Sequence, residues 1–288
     1  MSQSPGDCFR QAVDDERPLQ VVGVINAYCA RLAERAGYRA LYLSGAGVAN
    51  ASFGLPDLGM TTLPEVLEDA RRITATTNLP LLVDCDTGWG SPLTIARTVR
   101  EMTRAGVAAI HLEDQVDTKR CGHRPGKQLV TAELMVDRLK AAVDARTDAS
   151  FVIMARTDAV AVEGFEAALD RANRYVAAGA DLIFAEALTD TDQFRRFAQS
   201  VPVPVLVNMT EFGRSPLLTL DELRETGIRL VLYPLTAFRA MSAAAGRVYG
   251  ALRSEGSQQS LLSSMQTREE LYDVLDYHLF ENQLDRER

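Results

Sequence analysis

Two features of this chain have the residue types and spacing to do chemistry. One is a pair of aspartates, Asp84 and Asp86, flanking Cys85. The other is a thiol in a cation-rich loop, Lys119-Arg120-Cys121-Gly122-His123-Arg124-Pro125-Gly126-Lys127. On an extended segment residues i and i+2 face the same way, so the two carboxylates point to one side. Like charges held together repel unless something neutralises them, and hard oxygen donors suit Mg2+ or Mn2+. An isolated Asp-x-Asp serves equally well as loop or cap aspartates. Its place at a strand end, with Glu113 and Glu186 leaving other strands, favours a metal. Gly122, Pro125 and Gly126 make the second segment a loop. Its positive charge is expected to lower the Cys121 pKa and make the thiol reactive. The thiol would then act as a proton donor or acceptor near neutral pH, or as a covalent nucleophile. The plain alternative is a solvated basic loop with an incidental cysteine, which is harder to sustain in an acidic chain.

These residues need a frame to bring them together. Eight short apolar runs read as strands: Val21–Ile25, Ala40–Leu43, Leu81–Val83, Ala108–Leu112, Phe151–Ala155, Leu182–Ala185, Val205–Val207 and Leu230–Leu232. They contain no charges, as strands buried on both faces should. Helical periodicity occupies Leu63–Thr76, Pro92–Ala105, Ala132–Asp144, Phe165–Ala178, Asp192–Ser200 and Leu220–Thr226 between them. Strand–helix alternation of this kind predicts an α/β fold, a (β/α)8 TIM-type barrel. The open doubly wound sheet is the alternative, but neither nucleotide-binding glycine fingerprint is present. Beyond the last strand, Ala237–Ser254 and Thr267–Gln283 exceed what one barrel helix needs. Packing of this surplus on a neighbouring subunit would bury its apolar positions Leu271, Leu275, Leu279 and Phe280.

In such a barrel the site gathers at the C-terminal strand ends. Those ends read Asn26-Ala27, Ser44-Gly45-Ala46-Gly47, Asp84-Cys85-Asp86, Glu113-Asp114, Arg156-Thr157-Asp158, Glu186, Asn208-Met209-Thr210 and Tyr233-Pro234. Polar exits from nearly every strand mark one rim as an active site. The small-residue turn from Ser44 could cradle a carboxylate with its backbone N–H groups, or simply be tight. Arg156, then Arg239, then Arg268 are candidates to grip a carboxylate bidentately, each weighed against an ordinary ion pair. His111 reads as a hydrogen-bonded core histidine, and Trp89 as pocket wall or core.

Composition bounds the rest. The chain has 288 residues, 47% of them hydrophobic and 24% charged, with a net charge of −8. A single domain over residues 1–288 fits that length. The acidic balance argues against a nucleic-acid or membrane partner. Four scattered cysteines, Cys8, Cys29, Cys85 and Cys121, fit reduced cytoplasmic thiols better than a disulfide framework. The segment Met1–Pro18 has no apolar core and is not a signal peptide.

The loop Lys119-Arg120-Cys121-Gly122-His123 resembles the lyase branch of the isocitrate lyase/phosphoenolpyruvate mutase superfamily. The extension Arg124-Pro125-Gly126-Lys127 resembles the 2-methylisocitrate lyases within that branch. So do Gly54-Leu55-Pro56-Asp57-Leu58-Gly59, Ala155 to Ala159, Asn208 to Gly213 and Tyr233 to Arg239. The resemblance implies Mg2+ (or Mn2+) held by Asp84 and Asp86, with Asp57 nearby. It implies Cys121 as catalytic acid, with Gly122 as a neighbouring backbone donor. Substrate contacts are implied for Ser44, Gly45, Ala46, Arg156, Glu186, Asn208, Met209, Thr210, Arg239 and Arg268. The implied reaction is retro-Claisen cleavage of the tricarboxylate 2-methylisocitrate to pyruvate and succinate, in propionate breakdown. His123 and Arg156 would stabilise the succinate carbanion, and Tyr42 or Glu113 would take the hydroxyl proton. A homotetramer exchanging the last barrel helix is implied as well. Three positions depart from the family pattern: Ala46 for glycine, Cys85 for alanine, and Met209 for isoleucine or leucine. Isocitrate, dimethylmalate and oxaloacetate are alternative substrates, and a silent binding module is the alternative of another class.

Overall fold

The computed structural model describes residues 3–287. Helix α1 (Pro5–Asp15) leads into β1 (Leu19–Gly23), α2 (Ala27–Arg35), β2 (Ala40–Leu43) and the short α3 (Gly45–Gly47), which continues as a π-helical turn, Val48–Ser52. Then come α4 (Leu63–Thr74), β3 (Leu81–Asp84), α5 (Pro92–Arg104), β4 (Ala109–Glu113), α6 (Ala132–Asp144) and β5 (Val152–Thr157). The second half holds α7 (Phe165–Ala177), β6 (Leu182–Ala185), α8 (Thr191–Ser200), β7 (Val205–Asn208), α9 (Leu220–Thr226) and β8 (Leu230–Tyr233). The tail is α10 (Thr236–Glu255), α11 (Arg268–Leu275) and α12 (Tyr277–Arg286). The strands pair in parallel in sequence order and β8 closes on β1, so the fold is the expected TIM-type barrel. Local chemistry sets the helix starts. Thr62 with Glu65, and Thr219 with Glu222, form capping boxes that satisfy the first N–H groups of α4 and α9.

The core has two parts separated by the pleat of the strands. Outward residues such as Leu41, Val83, Ile110, Ile153, Ile183 and Val231 pack under the helices. Inward residues such as Val21, Tyr42, Leu82, Met154, Phe184 and Leu232 fill the barrel. Phe9, Ala12 and Val13 of α1 belong to this inner cluster. The N-terminal segment, which has no contiguous apolar stretch, is thus part of the fold. Three apolar residues at helical spacing suffice there, because they close the bottom of the barrel rather than build a core of their own.

Element boundaries also differ. The first strand lies two residues earlier than the apolar run suggests, because Leu19 to Val22 pair with β8. Tail region 267–283 is broken at Asp276, whose φ of 53 ends α11. Helix α11 returns to α2 of the same chain through Arg31–Asp276 (2.7 Å) and Tyr28–Gln266 (2.7 Å). Helix α10 buries none of its residues. An apolar groove lined by Val22, Val24, Leu32, Tyr233, Ala237 and Met241 stays open between α2 and α10.

Phe9 has no exposed surface. Phe9→Ala should therefore cost about 3–5 kcal/mol of unfolding free energy, read as a lower urea midpoint. A change below 1 kcal/mol would show that α1 is not structural.

Candidate active site

The site is the polar continuation of the inward strand positions. Tyr42 continues to Ser44, Leu82 to Asp84, His111 to Glu113, Met154 to Arg156, Phe184 to Glu186, and Leu206 to Asn208, all at the spacing of two that one strand face requires. Low in the barrel these positions are apolar, and at the C-terminal rim they carry charge. The rim opens into a cavity of about 260 Å³ lined by Ser44, Ala46, Asp57, Asp84, Cys121 and Arg156, among others. Tyr42, Lys119, Gly122, His123, Glu186, Asn208, Thr210 and Arg239 complete its polar wall. Phe184, Leu232, Pro234 and Leu235 form an apolar side.

Arg156 is the hub. Its guanidinium lies 3.0 Å from Asp158 Oδ2, 3.3 Å from Glu113 Oε2 and 3.5 Å from Glu186 Oε2. Burial works against an ionised Glu186, yet Arg156, His123 and Lys127 pull its pKa down to about 2. The Glu113 pKa goes the other way. Burial drives it well above the usual carboxylate range despite Arg156, and neither of its oxygens has a hydrogen-bond partner.

Asp84 and Asp86 both face Gly45. A Cβ placed there would lie 3.1 Å from Asp84 Oδ2 and 3.3 Å from Asp86 Oδ1, so a side chain would crowd both carboxylates. Asp86 is not in extended backbone, however; its φ is 46, just past the strand end. The Gly45 N–H donates to Asp84 Oδ2 (3.1 Å). Lys119 bridges Asp57 and Asp86, the latter at 2.7 Å. Burial and the neighbouring Asp84 raise the Asp86 pKa to about 6, although Lys119 opposes this. Asp84 stays well below the usual range; burial is outweighed by the positive charge around it, His111 first and then Lys119 and Arg156.

His111 is fully buried, with Nε2 2.9 Å from the Tyr42 hydroxyl and 3.6 Å from Asp84 Oδ1. Its Nδ1 has no partner. An unpartnered lone pair costs less than an unpartnered N–H, so the chain runs from His111 Nε2–H to the Tyr42 oxygen and from Tyr42 O–H to Asp84 (3.4 Å). Burial, helped by Arg156 and Lys119, brings the His111 pKa down to about 4. Burial and Asp84 push the Tyr42 phenol well above its ordinary value.

The lid is the loop between β4 and α6. Its neck is an antiparallel bridge, Gln115 to Leu129. Cys121 is exposed at the cavity rim. Its pKa moves opposite to the expected direction: desolvation, with Asp57 and Glu186, raises the thiol pKa despite Arg156 and the His123 amide. The loop cations do not set its protonation, because Lys119 and Lys127 are spent on Asp86 and Asp158. His123 accepts the Arg214 N–H at Nδ1 (2.9 Å), so its proton sits on Nε2, facing Glu186 Oε1 at 2.8 Å.

The residues expected to touch substrate are thus largely brought together, with four exceptions. Met209 is buried behind the wall and receives the Leu218 N–H on its sulfur (3.5 Å). Glu113 lies beneath Arg156 and Gly45 beneath Ala46, both outside the cavity lining. Arg268 is exposed at the start of α11 and lines no part of the cavity. Trp89 donates to Thr61 O (3.0 Å) and packs against the outer core. Lys119, Lys127, Asp158 and Phe184 were not marked as site residues. Asp158 and Phe184 could have been found by extending the inward period of two through β5 and β6.

A model of the phosphoenolpyruvate phosphomutase family matches residues 9–253. The chain belongs to the phosphoenolpyruvate phosphomutase family. Within reach of this family, it is 61% identical to the 2-methylisocitrate lyase of Shewanella oneidensis over 286 residues, covering 99% of this chain and 98% of that one. It is 60% identical to the 2-methylisocitrate lyase of Salmonella typhimurium, covering 98% and 96%. The fold superposes on a crystal structure of 2,3-dimethylmalate lyase with a TM-score of 0.91 at 35% identity, covering 99% and 96%. It superposes on a phosphonopyruvate hydrolase complex with oxalate and Mg++ with a TM-score of 0.85 at 28% identity, covering 97% and 98%.

Lys119, Lys127 and Arg239 are already paired with Asp86, Asp158 and Glu211, whereas Arg120 and Arg124 at the cavity edge have no carboxylate partner among the described residues. Among the described residues no three His, Cys, Asp or Glu side chains are grouped to hold a metal by themselves. The donor set nevertheless fits a divalent cation that keeps part of its water. Asp84 and Asp86 converge, both Glu113 oxygens lack hydrogen-bond donors, and an ammonium already sits between Asp57 and Asp86.

The His111 pKa has a sign that can be tested. The folded value of about 4 lies below the unfolded 6.5, so the native state binds fewer protons between those values. Stability from this group is present above pH 6.5 and lost as pH falls toward 4. Metal-free wild type should lose about 3 kcal/mol more than His111→Gln across that window by urea unfolding. A pH-independent difference would refute it.

Proposed function

We propose that the chain is a Mg2+-dependent carbon–carbon lyase that cleaves 2-methylisocitrate to pyruvate and succinate. The observation that carries this reading is an exposed thiol at the rim of a cavity lined by Asp57, Asp84 and the buried Arg156. The near-full-length identity to enzymes of that name supports it. Bound at Asp84 and Asp86 with Asp57 nearby, Mg2+ would supply Lewis-acid polarisation of the hydroxy-carboxylate end of the substrate and turn the net field positive. Ser44 and Ala46 orient that end, the Ala46 methyl limits its approach, and Gly45 beneath them holds Asp84. Arg156, Asn208, Thr210 and Arg239 bind carboxylates of the other end.

Tyr42, of the two bases considered, borders the cavity. Because its phenol is protonated at rest, it takes the hydroxyl proton only while passing its own to the Asp84 carboxylate, with the His111 N–H steadying the phenol oxygen. Cys121, protonated at neutral pH, delivers its proton to the carbanion left on the succinate half. Arg156 spreads the charge of that carbanion onto its carboxylate, and His123 assists as an orienting donor. Glu186 holds both of these groups in place.

The apolar side of Phe184, Leu232, Pro234 and Leu235 favours a substrate carrying a methyl group. Such a preference is worth about 1–3 kcal/mol per methylene, so isocitrate and dimethylmalate are the rivals to measure. We further propose a cytoplasmic homotetramer acting in propionate breakdown. Its support is the uncovered apolar groove over β1 and β8, which a neighbour's helix would fill.

Pyruvate release from 2-methylisocitrate, isocitrate and dimethylmalate, with Mg2+ or EDTA, tests the reading. The first should be cleaved at least tenfold better in kcat/KM, and EDTA should stop turnover. No product from any substrate would favour a binding module. Cys121→Ser should keep Mg2+ and ligand binding while kcat falls by about 10²-fold or more; near-normal turnover would remove Cys121 from the mechanism. In sedimentation the protein should run at about four times the 31.6 kDa chain mass; a monomer would remove the exchanged helix.

A further inference from the structure

Lys127 lies at the C-terminal end of the lid loop, six residues after the thiol, and its side chain is 2% exposed. A fully buried ammonium is costly unless paired and hydrogen-bonded. Both partners are present: Asp158 Oδ1 at 2.7 Å and the Gly122 carbonyl oxygen. Asp158 has no exposed side-chain surface and is shared. Its Oδ2 receives Arg156 Nε at 3.0 Å and its backbone N–H donates to Asp114 Oδ1 at 2.9 Å. The lid peptide is correspondingly close to the site. A Cβ on Gly122 would lie 2.5 Å from Arg156 Nη2 and 2.7 Å from Glu186 Cγ, so only glycine lets the loop descend this far. Gln115 makes a second tether, exchanging hydrogen bonds with the Arg120 backbone at 2.9 Å each. Gln115, however, touches only the loop and its own strand end, whereas Lys127 joins the loop to the strand that bears Arg156.

We propose that Lys127 is the latch of the lid: a positioning residue that, through Asp158, locks the Cys121–Gly122 peptide onto Arg156 in the closed state. One carboxylate answers to both the lid cation and the substrate-binding guanidinium. Seating of the lid and orientation of Arg156 are therefore a single event. When the lid lifts, the ammonium leaves Asp158, and Arg156 loses one of the restraints on its fork. The role differs from that of Cys121, since Lys127 touches no reacting atom and acts by holding the thiol where it can protonate. The inference deepens the lyase reading and rests on it for the kinetic arm of its test.

The test compares wild type, Lys127→Gln and Lys127→Arg. Lys127→Gln should lower kcat at least thirtyfold with KM changed less than threefold, because ground-state binding in the cavity is retained while the closed state is lost. Lys127→Arg, which keeps the charge, should recover at least a tenth of wild-type kcat. Independently of turnover, trypsin cleavage after Lys119 and Arg120 should be suppressed by Mg2+ plus pyruvate and succinate in wild type, and not in Lys127→Gln. Two results would overturn the latch: Lys127→Gln turnover within threefold of wild type, or slow turnover with a lid protected as well as wild type's. If Lys127→Gln does not fold, Lys127→Arg carries the same comparison, and failure of both to fold makes Lys127 a folding determinant and ends the proposal. Wild type that cleaves none of the three substrates would defeat the lyase reading alone, because the protection experiment still decides the latch.

Discussion

The rim of this barrel depends on how one buried guanidinium is neutralised. Arg156 stands among Asp158, Glu113 and Glu186, and none of these carboxylates has appreciable access to water. Such a cluster survives because each charge is compensated by another at contact distance; removing one member strands the rest in a low-dielectric site. The pKa directions follow from it. Glu186, which faces Arg156 and His123, stays ionised, while Glu113, with no hydrogen-bond donor, is pushed toward its neutral form.

The same compensation explains the sign of the pocket. Lys119 and Lys127 are basic residues in the sequence, but in the fold they are partners of Asp86 and Asp158. What remains for a ligand is Asp84 beside Asp86 at the strand ends, which suits a divalent cation, with the unpaired Arg120 and Arg124 at the cavity edge for a polyanionic substrate. The thiol follows the same logic. Cationic neighbours that are themselves neutralised leave desolvation to govern Cys121, and a thiol kept protonated is an acid rather than a nucleophile.

Much of this was legible in the chain. The eight charge-free runs and the polar residues that end them identify the barrel and its functional rim, because strand burial and strand-end exposure leave their mark on residue type. The motif from Lys119 to Lys127 marks the lid, and the family comparison agrees with the resemblance it carries. Less was legible where the decisive quantity is a contact. Nothing in Asp14-Asp15-Glu16 or the residues before it announces a barrel floor, since Phe9, Ala12 and Val13 matter only against the concave end they close. Asp158 reads as a loop aspartate until Lys127 arrives from another element.

The sequence by itself determined which residues are available and at which end of the barrel they emerge, because period-two burial and breaker residues act locally. Only the tertiary structure decided which charge meets which. That pairing is set by distances across strands and loops far apart in the chain, and it reversed one local inference, the lowered thiol pKa.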